Sequence, residues 1–135
     1  MHRFLRLLIA RRLVRSVEHE RQRMSLTAML HQANKTWHGV NLFQPDWSDT
    51  SHSVALEAEL KREQVRFHII LNAFWEPLNF ELPSLEGGGS WHRWIDTALD
   101  SPNEIVPWGE AQPVTGNTYR VADRSLVMLY ASSKR

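Results

Sequence analysis

The stretch SVALEAELKREQVRFHIILNAFWEPLNFELP, residues 53–83, decides the fold. Val54, Leu56, Ala58 and Leu60 alternate with Ser53, Ala55, Glu57 and Glu59. Val65, Phe67, Ile69 and Leu71 alternate with Arg66, His68, Ile70 and Asn72, and Leu78, Phe80 and Leu82 with Asn79 and Glu81. A period of two marks strands with one face on a core and the other towards water. On that reading Arg66 and His68 share a water-facing side. The connections at 61–64 and 73–76 are short enough to join antiparallel neighbours.

Further strands are expected at 37–42, 91–98, 118–121 and 125–131, with turn signals at Gly87-Gly88-Gly89 and Gly116-Asn117. The stretch 99–115 carries Pro102, Pro107 and Pro113, too many prolines for a central strand. About seven or eight short strands predict an all-β fold, an antiparallel two-sheet β-sandwich.

One or two helices precede it. Residues 2–15, HRFLRLLIARRLVR, place Phe4, Leu5, Leu7, Leu8, Ile9, Leu13 and Val14 at helical spacing, with Arg3, Arg6, Arg11, Arg12 and Arg15 on the remaining surface. Ser25 is placed to cap a short helix, LTAMLHQA, that stops at Asn34. The chain therefore divides into a basic helix and connector (1–24), a short helix and linker (25–36) and the sandwich (37–135).

The net charge of +1 hides an asymmetry. Residues 1–24 hold seven arginines against two glutamates, a balance of +5, which leaves −4 for residues 25–135. Such a contrast points to pieces of different role. The 135 residues are 42% hydrophobic and 23% charged, as in an ordinary globular domain. There is no cysteine, which excludes disulfides and thiolate metal sites and suits a reducing cytoplasm, the expected location. The longest apolar run falls far short of the ~20 residues that span a bilayer. No small-residue cleavage site follows the N-terminal apolar stretch, which argues against a secretory signal.

Four long segments carry more than alternation: WHGVNLFQPDWSDTSHSVAL (37–56), LNAFWEPLNFELP (71–83), WHRWIDTALDSPNEIVPW (91–108) and TYRVADRSLVMLYA (118–131). They resemble the C-terminal domain of isoamylase-type glycogen debranching enzymes of the alpha-amylase superfamily. HRFLRLLIARR and LTAMLHQA resemble the last helix of those enzymes' (β/α)8 barrel and the link that follows it. The resemblance implies a parent enzyme that hydrolyses α-1,6 branch points of glycogen-like glucans with a pair of carboxylates. It places those carboxylates in the barrel, which needs ~250 residues and so precedes this chain. The implied partner is that barrel, and the implied role is a non-catalytic accessory domain. Without the barrel, the apolar stripe of helix 2–15 is left to fold back on the sandwich, to dimerise or to fray.

Rival chemistries are weaker. A basic amphipathic helix can serve a membrane surface or nucleic acid, but its broad apolar face favours packing, and neither partner is expected. His38, His52, His68 and His92 fall on different strands without the paired spacing of zinc motifs, so no metal and no cofactor are expected. The pairs Asp46/Asp49 and Asp96/Asp100 could supply an acid and a nucleophile. Asp46, Asp49 and Asp100, however, sit where turn-forming side chains bond nearby amides, and turn chemistry is the better reading. No GxSxG frames a serine, so a hydrolase triad is unsupported. The tryptophans stand out. Sugar rings lay their C–H faces on exposed aromatic rings. Trp47 in a polar loop, Trp75 in a turn and Trp108 after a proline are the candidate glucan contacts, while Trp37, Trp91 and Trp94 lie on strands and at least two should be core. A stand-alone α-glucan-binding module, and a subunit that oligomerises through helix 2–15, are the alternative functions.

Overall fold

A computed structural model of the chain describes residues 3–8, 34–61 and 64–132. The strands are β1 (Asn34–His38), β2 (Ser53–Leu60), β3 (Val65–Asn72), β4 (Leu78–Glu81), β5 (His92–Asp96), β6 (Gln112–Pro113), β7 (Thr118–Val121) and β8 (Ser125–Ser132). They form a six-stranded sheet in the order β1-β2-β3-β8-β5-β6 and a two-stranded sheet, β4-β7. Every strand pairing is antiparallel, and the two sheets make the expected sandwich.

The core between the sheets is built from Ala55, Ile70, Phe80, Leu82, Trp91, Val121, Val127 and Leu129. Two polar contacts tie the small sheet to the large one. The Tyr119 hydroxyl on β7 donates to Asp96 Oδ2 on β5 at 2.5 Å. Asn72, buried at the end of β3, donates from Nδ2 to the carbonyls of Val121 and Ala122 at 3.3 and 3.1 Å. Burial, aided by the Asp96 carboxylate, raises the Tyr119 hydroxyl far above its usual pKa, so it stays a donor.

The opposite face of the large sheet carries a second core: Val65, Phe67, Trp94, Ile95, Ile105, Ala111 and Tyr130. A bulge between Arg93 and Ile95 turns both Trp94 and Ile95 onto this side. Residues 3–8 are helical, and Phe4, Leu7 and Leu8 pack on the same core. Arg3 clasps the helix to the 97–111 segment, donating to the Ile105 carbonyl at 2.8 Å and pairing with the Glu104 carboxylate. Here the stripe folds back on the sandwich, while Leu5 remains 48% exposed. The rest of helix 2–15 and the short helix expected after Ser25 lie outside the described residues.

Three expectations change. The first strand runs over Asn34–His38, not 37–42, because it zips onto β2 with Asn34 opposite Glu59 and His38 opposite Ala55. The assignment of faces on β3 reverses in part: His68, Ile70 and Asn72 are buried and Leu71 is 45% exposed. β3 lies inside a sheet covered on both faces, so the side expected to meet water meets β4 and β7 instead. Trp108 is half-buried in the second core, stacked on Tyr130 at 3.7 Å and edge-on to Trp94 at 5.3 Å. Its backbone carbonyl also accepts the Tyr130 hydroxyl, which leaves little of it to offer a ligand.

Candidate functional site

At the end of β2 and β3 away from the helix, the 44–52 loop leans over the large sheet and leaves a groove of about 340 Å³. The loop is shaped by its own short polar side chains. Asp46 Oδ1 accepts the Ser48 amide at 3.0 Å, the Ser51 amide bonds the Ser48 carbonyl at 3.0 Å, and the Ser48 and Thr50 hydroxyls meet at 3.2 Å. Hydrogen bonds from Ser48 hold the Asp46 carboxyl below its usual pKa, so it is ionised at neutral pH. This turn pushes Trp47 out to 64% exposure. Trp37, on edge strand β1, meets the Trp47 ring edge to face at 5.3 Å and props it.

Polar residues Asp46, Ser48, Ser51, His52 and Ser53 line the groove together with Trp47, Val54, Leu71 and Ala73, and its surface is mainly apolar. The His52 ring is stacked on Phe74 at 4.0 Å with only 3° between planes, and Phe74 meets Trp75 at 5.5 Å. Trp75 is 66% exposed at the tip of the 73–77 turn. That turn is stapled by Asn72, whose Nδ2 donates to the Glu76 carbonyl at 3.1 Å and whose Oδ1 accepts the Phe74 amide at 3.0 Å.

Of the three tryptophans read as candidates, Trp47 lines the groove, Trp75 reaches it through Phe74 and His52, and Trp108 belongs to the second core. The sequence pattern did not single out Trp37, His52, Leu71 and Asn72. Leu71 carried a signal, as the alternating apolar residue nearest a strand end, where the covering layer stops.

Two other described histidines, His38 and His68, have other duties. His38 is fully buried, accepts the Phe43 amide on Nδ1 at 2.8 Å and faces Glu57 Oε2 with Nε2 at 3.1 Å. Glu57 also receives Arg66. His68 is buried beside the rings of His38 and Trp91, at 5.6 and 5.7 Å, so the expectation that it faces water does not hold. Among the described residues no three His, Asp or Glu side chains converge as donors for a metal ion. Both Asp96 oxygens are occupied, by the Ala98 amide and by Tyr119.

Residues 36–131 match the family model described as isoamylase 1-3, C-terminal. Isoamylase 2, chloroplastic, of Oryza sativa subsp. japonica is 30% identical over 111 residues, which cover 74% of this chain and 14% of that protein. Isoamylase 3, chloroplastic, of the same plant is 51% identical over 41 residues, 30% of this chain and 5% of that protein. The chain thus spans a small fraction of the length of these relatives. Among solved structures, a GH30 endoxylanase from Clostridium papyrosolvens aligns with a TM-score of 0.43 at 11% identity, over 64% of this chain and 22% of that one. Both isoamylases are chloroplastic by name, which overturns the cytoplasmic expectation. The lack of cysteine speaks to redox chemistry, not to which compartment supplies it.

Proposed function

The chain belongs to the isoamylase 1-3 C-terminal family, and from that premise we propose that it is the non-catalytic accessory domain of a debranching enzyme, working in a plastid. Its parent would hydrolyse α-1,6 branch points of a glucan in a separate (β/α)8 barrel. The domain would stabilise that barrel by covering apolar surface, at ~25 cal/mol per Å² buried.

The observation that carries this reading is the two-sided helix at residues 3–8. Phe4, Leu7 and Leu8 are taken by the sandwich, with Arg3 fastened to Glu104, while Leu5 faces outward at 48% exposure. Leu5 stands outward beside the exposed Arg6, and in the parent enzyme it would add one apolar contact to the barrel that this helix resembles a part of.

The test is to add the purified chain to an isoamylase cut off before its C-terminal domain. We expect the mixture to regain thermal stability and branch hydrolysis, and the chain alone to release no sugar from glycogen. Hydrolysis by the chain alone, or a truncated barrel indifferent to its presence, would overturn the proposal.

A further inference from the structure

We infer that the groove under Trp47 is a binding subsite for an unbranched α-glucan chain, whose sugar ring lies on the Trp47 indole while its hydroxyls bond Asp46, His52 and the loop serines. The choice of an α-glucan over other neutral sugars rests on the debranching reading above.

Four observations point to this occupant. First, the Trp47 ring is largely exposed and already held in place, by the Asp46–Ser48 turn and by the Trp37 ring that stands at 76° to it. Fixing it before binding removes much of the ordering cost that a mobile tryptophan would bring. Second, the lining holds another flat ring in a fixed pose, His52 stacked on Phe74. Third, the lining is mainly apolar but includes the Asp46 carboxylate, the His52 imidazole and serine hydroxyls that keep acceptor capacity beside their bonds to Thr50 and the Ser53 carbonyl. Such a mixed surface suits a sugar's C–H faces and hydroxyls. Fourth, the lining carries one carboxylate and neither Lys nor Arg, which suits an uncharged polyol and disfavours a phosphorylated or nucleic-acid ligand.

Size and place agree. About 340 Å³ lies at the low end of small-molecule clefts and accommodates about two pyranose rings. A protein partner would need a far broader face, on the order of 800 Å² on each side. The groove lies beyond the helix-covered area: Ile69 packs on the second core, and Leu71, the next residue on that face of β3, already lines the groove.

Maltoheptaose titrated into the full chain, followed by tryptophan fluorescence and calorimetry, tests the inference. We expect saturable binding with Kd in the millimolar range, weakened at least about tenfold by Trp47→Ala and a few-fold by Trp75→Ala, but unchanged in Trp108→Phe. Unchanged melting of Trp47→Ala would show that the loss is local. No binding at about 10 mM, or binding that survives Trp47→Ala, overturns the subsite. If the chain nonetheless rescues a truncated isoamylase, the subsite alone has failed and the accessory-domain reading stands. Cellohexaose bound as well as maltoheptaose, through Trp47, would overturn the α-glucan assignment. So would a dimer in sedimentation that Trp47→Ala dissolves, since the groove would then be a contact between copies.

Discussion

His38 and Glu57 meet inside the sandwich, Nε2 to Oε2 at 3.1 Å, in a geometry that specifies the tautomer. The Phe43 amide donates to His38 Nδ1, so in the neutral ring the proton sits on Nε2 and points at the carboxylate. Glu57 takes Arg66 on its other oxygen. Burial alone would raise the Glu57 carboxyl, but its hydrogen bonds from Arg66 and His38 outweigh that and hold it below the usual value. A carboxylate thus joins β1, β2 and β3 across the sheet.

Removing that carboxylate strands two donors. Glu57→Ala is expected to lower stability by about 2–4 kcal/mol, since Arg66 and His38 lose their shared acceptor in a largely buried place. Glu57→Gln keeps an acceptor for His38 and should cost distinctly less. Urea denaturation midpoints of the two variants, read at neutral pH, check the order.

His68 gives the fold an acid limit. Burial, reinforced by His38 nearby, pushes its pKa from 6.5 to about 4, and neither ring nitrogen has a hydrogen-bond partner. In the unfolded chain the ring regains its ordinary affinity for protons. Between pH 6.5 and about 4 the unfolded state therefore holds the extra proton, and stability falls as pH drops. The loss from this group grows to about 3 kcal/mol and then levels off. Below that, protonation of Glu57 adds to it. His68→Leu should flatten the curve between pH 6.5 and about 4.5 without loss at neutral pH, because no hydrogen bond is broken. Melting temperatures across that range decide it; an unchanged slope in His68→Leu would place the sensitivity elsewhere.

How much of this was legible depends on whether the cause was local. β7 occupies residues 118–121 as read, because the Gly116-Asn117 turn and the alternation of Tyr119 and Val121 are local signals. β3 was read as a strand but not as one covered on both sides, since the layers over it come from β4, β7 and residues 3–8. Trp108 looked free because it follows Pro107; the partners that half-bury it, Tyr130 and Trp94, lie on other strands. The groove joins a loop, the start of β2 and the end of β3, so Trp47 was legible as a contact, while His52 was legible only as a lone histidine and Leu71 only as a core-facing strand residue.

The second core should tolerate loss of the Arg3 clasp better than loss of the side chains it positions. Arg3 and Glu104 are 33% and 19% exposed, so water screens the ion pair and its own contribution is small. Leu8→Ala is expected to cost more than Arg3→Ala, about 1–3 kcal/mol for a partly buried leucine. Deleting residues 1–8 should uncover Ile105, Trp94 and Phe67 and raise binding of a hydrophobic dye. Equal stability of the deleted and full chains would show that the helix does not cover this face in solution.

Gly39 controls where the groove loop begins. A Cβ there would stand 2.3 Å from the Gln44 carbonyl oxygen, far inside contact distance and against backbone that cannot swing away. The same turn holds the Phe43 amide on His38 and the Val40 carbonyl on the Glu81 amide, so it is tied at both ends. Gly39→Ala must therefore either break these bonds or displace Gln44 and Pro45, and Asp46 and Trp47 follow directly in sequence. We expect a stability loss of about 1–3 kcal/mol, the range for overpacking a tight site. The shift should also change Trp47 emission and lower any glucan affinity. Gly89→Ala is the matched control, because its Cβ would sit at an ordinary 3.9 Å from Leu85 and should change stability by no more than about 0.5 kcal/mol. Thermal melts and fluorescence spectra of the two variants separate the outcomes. If Gly39→Ala melts and fluoresces like the parent, the close approach to Gln44 does not set the position of Trp47.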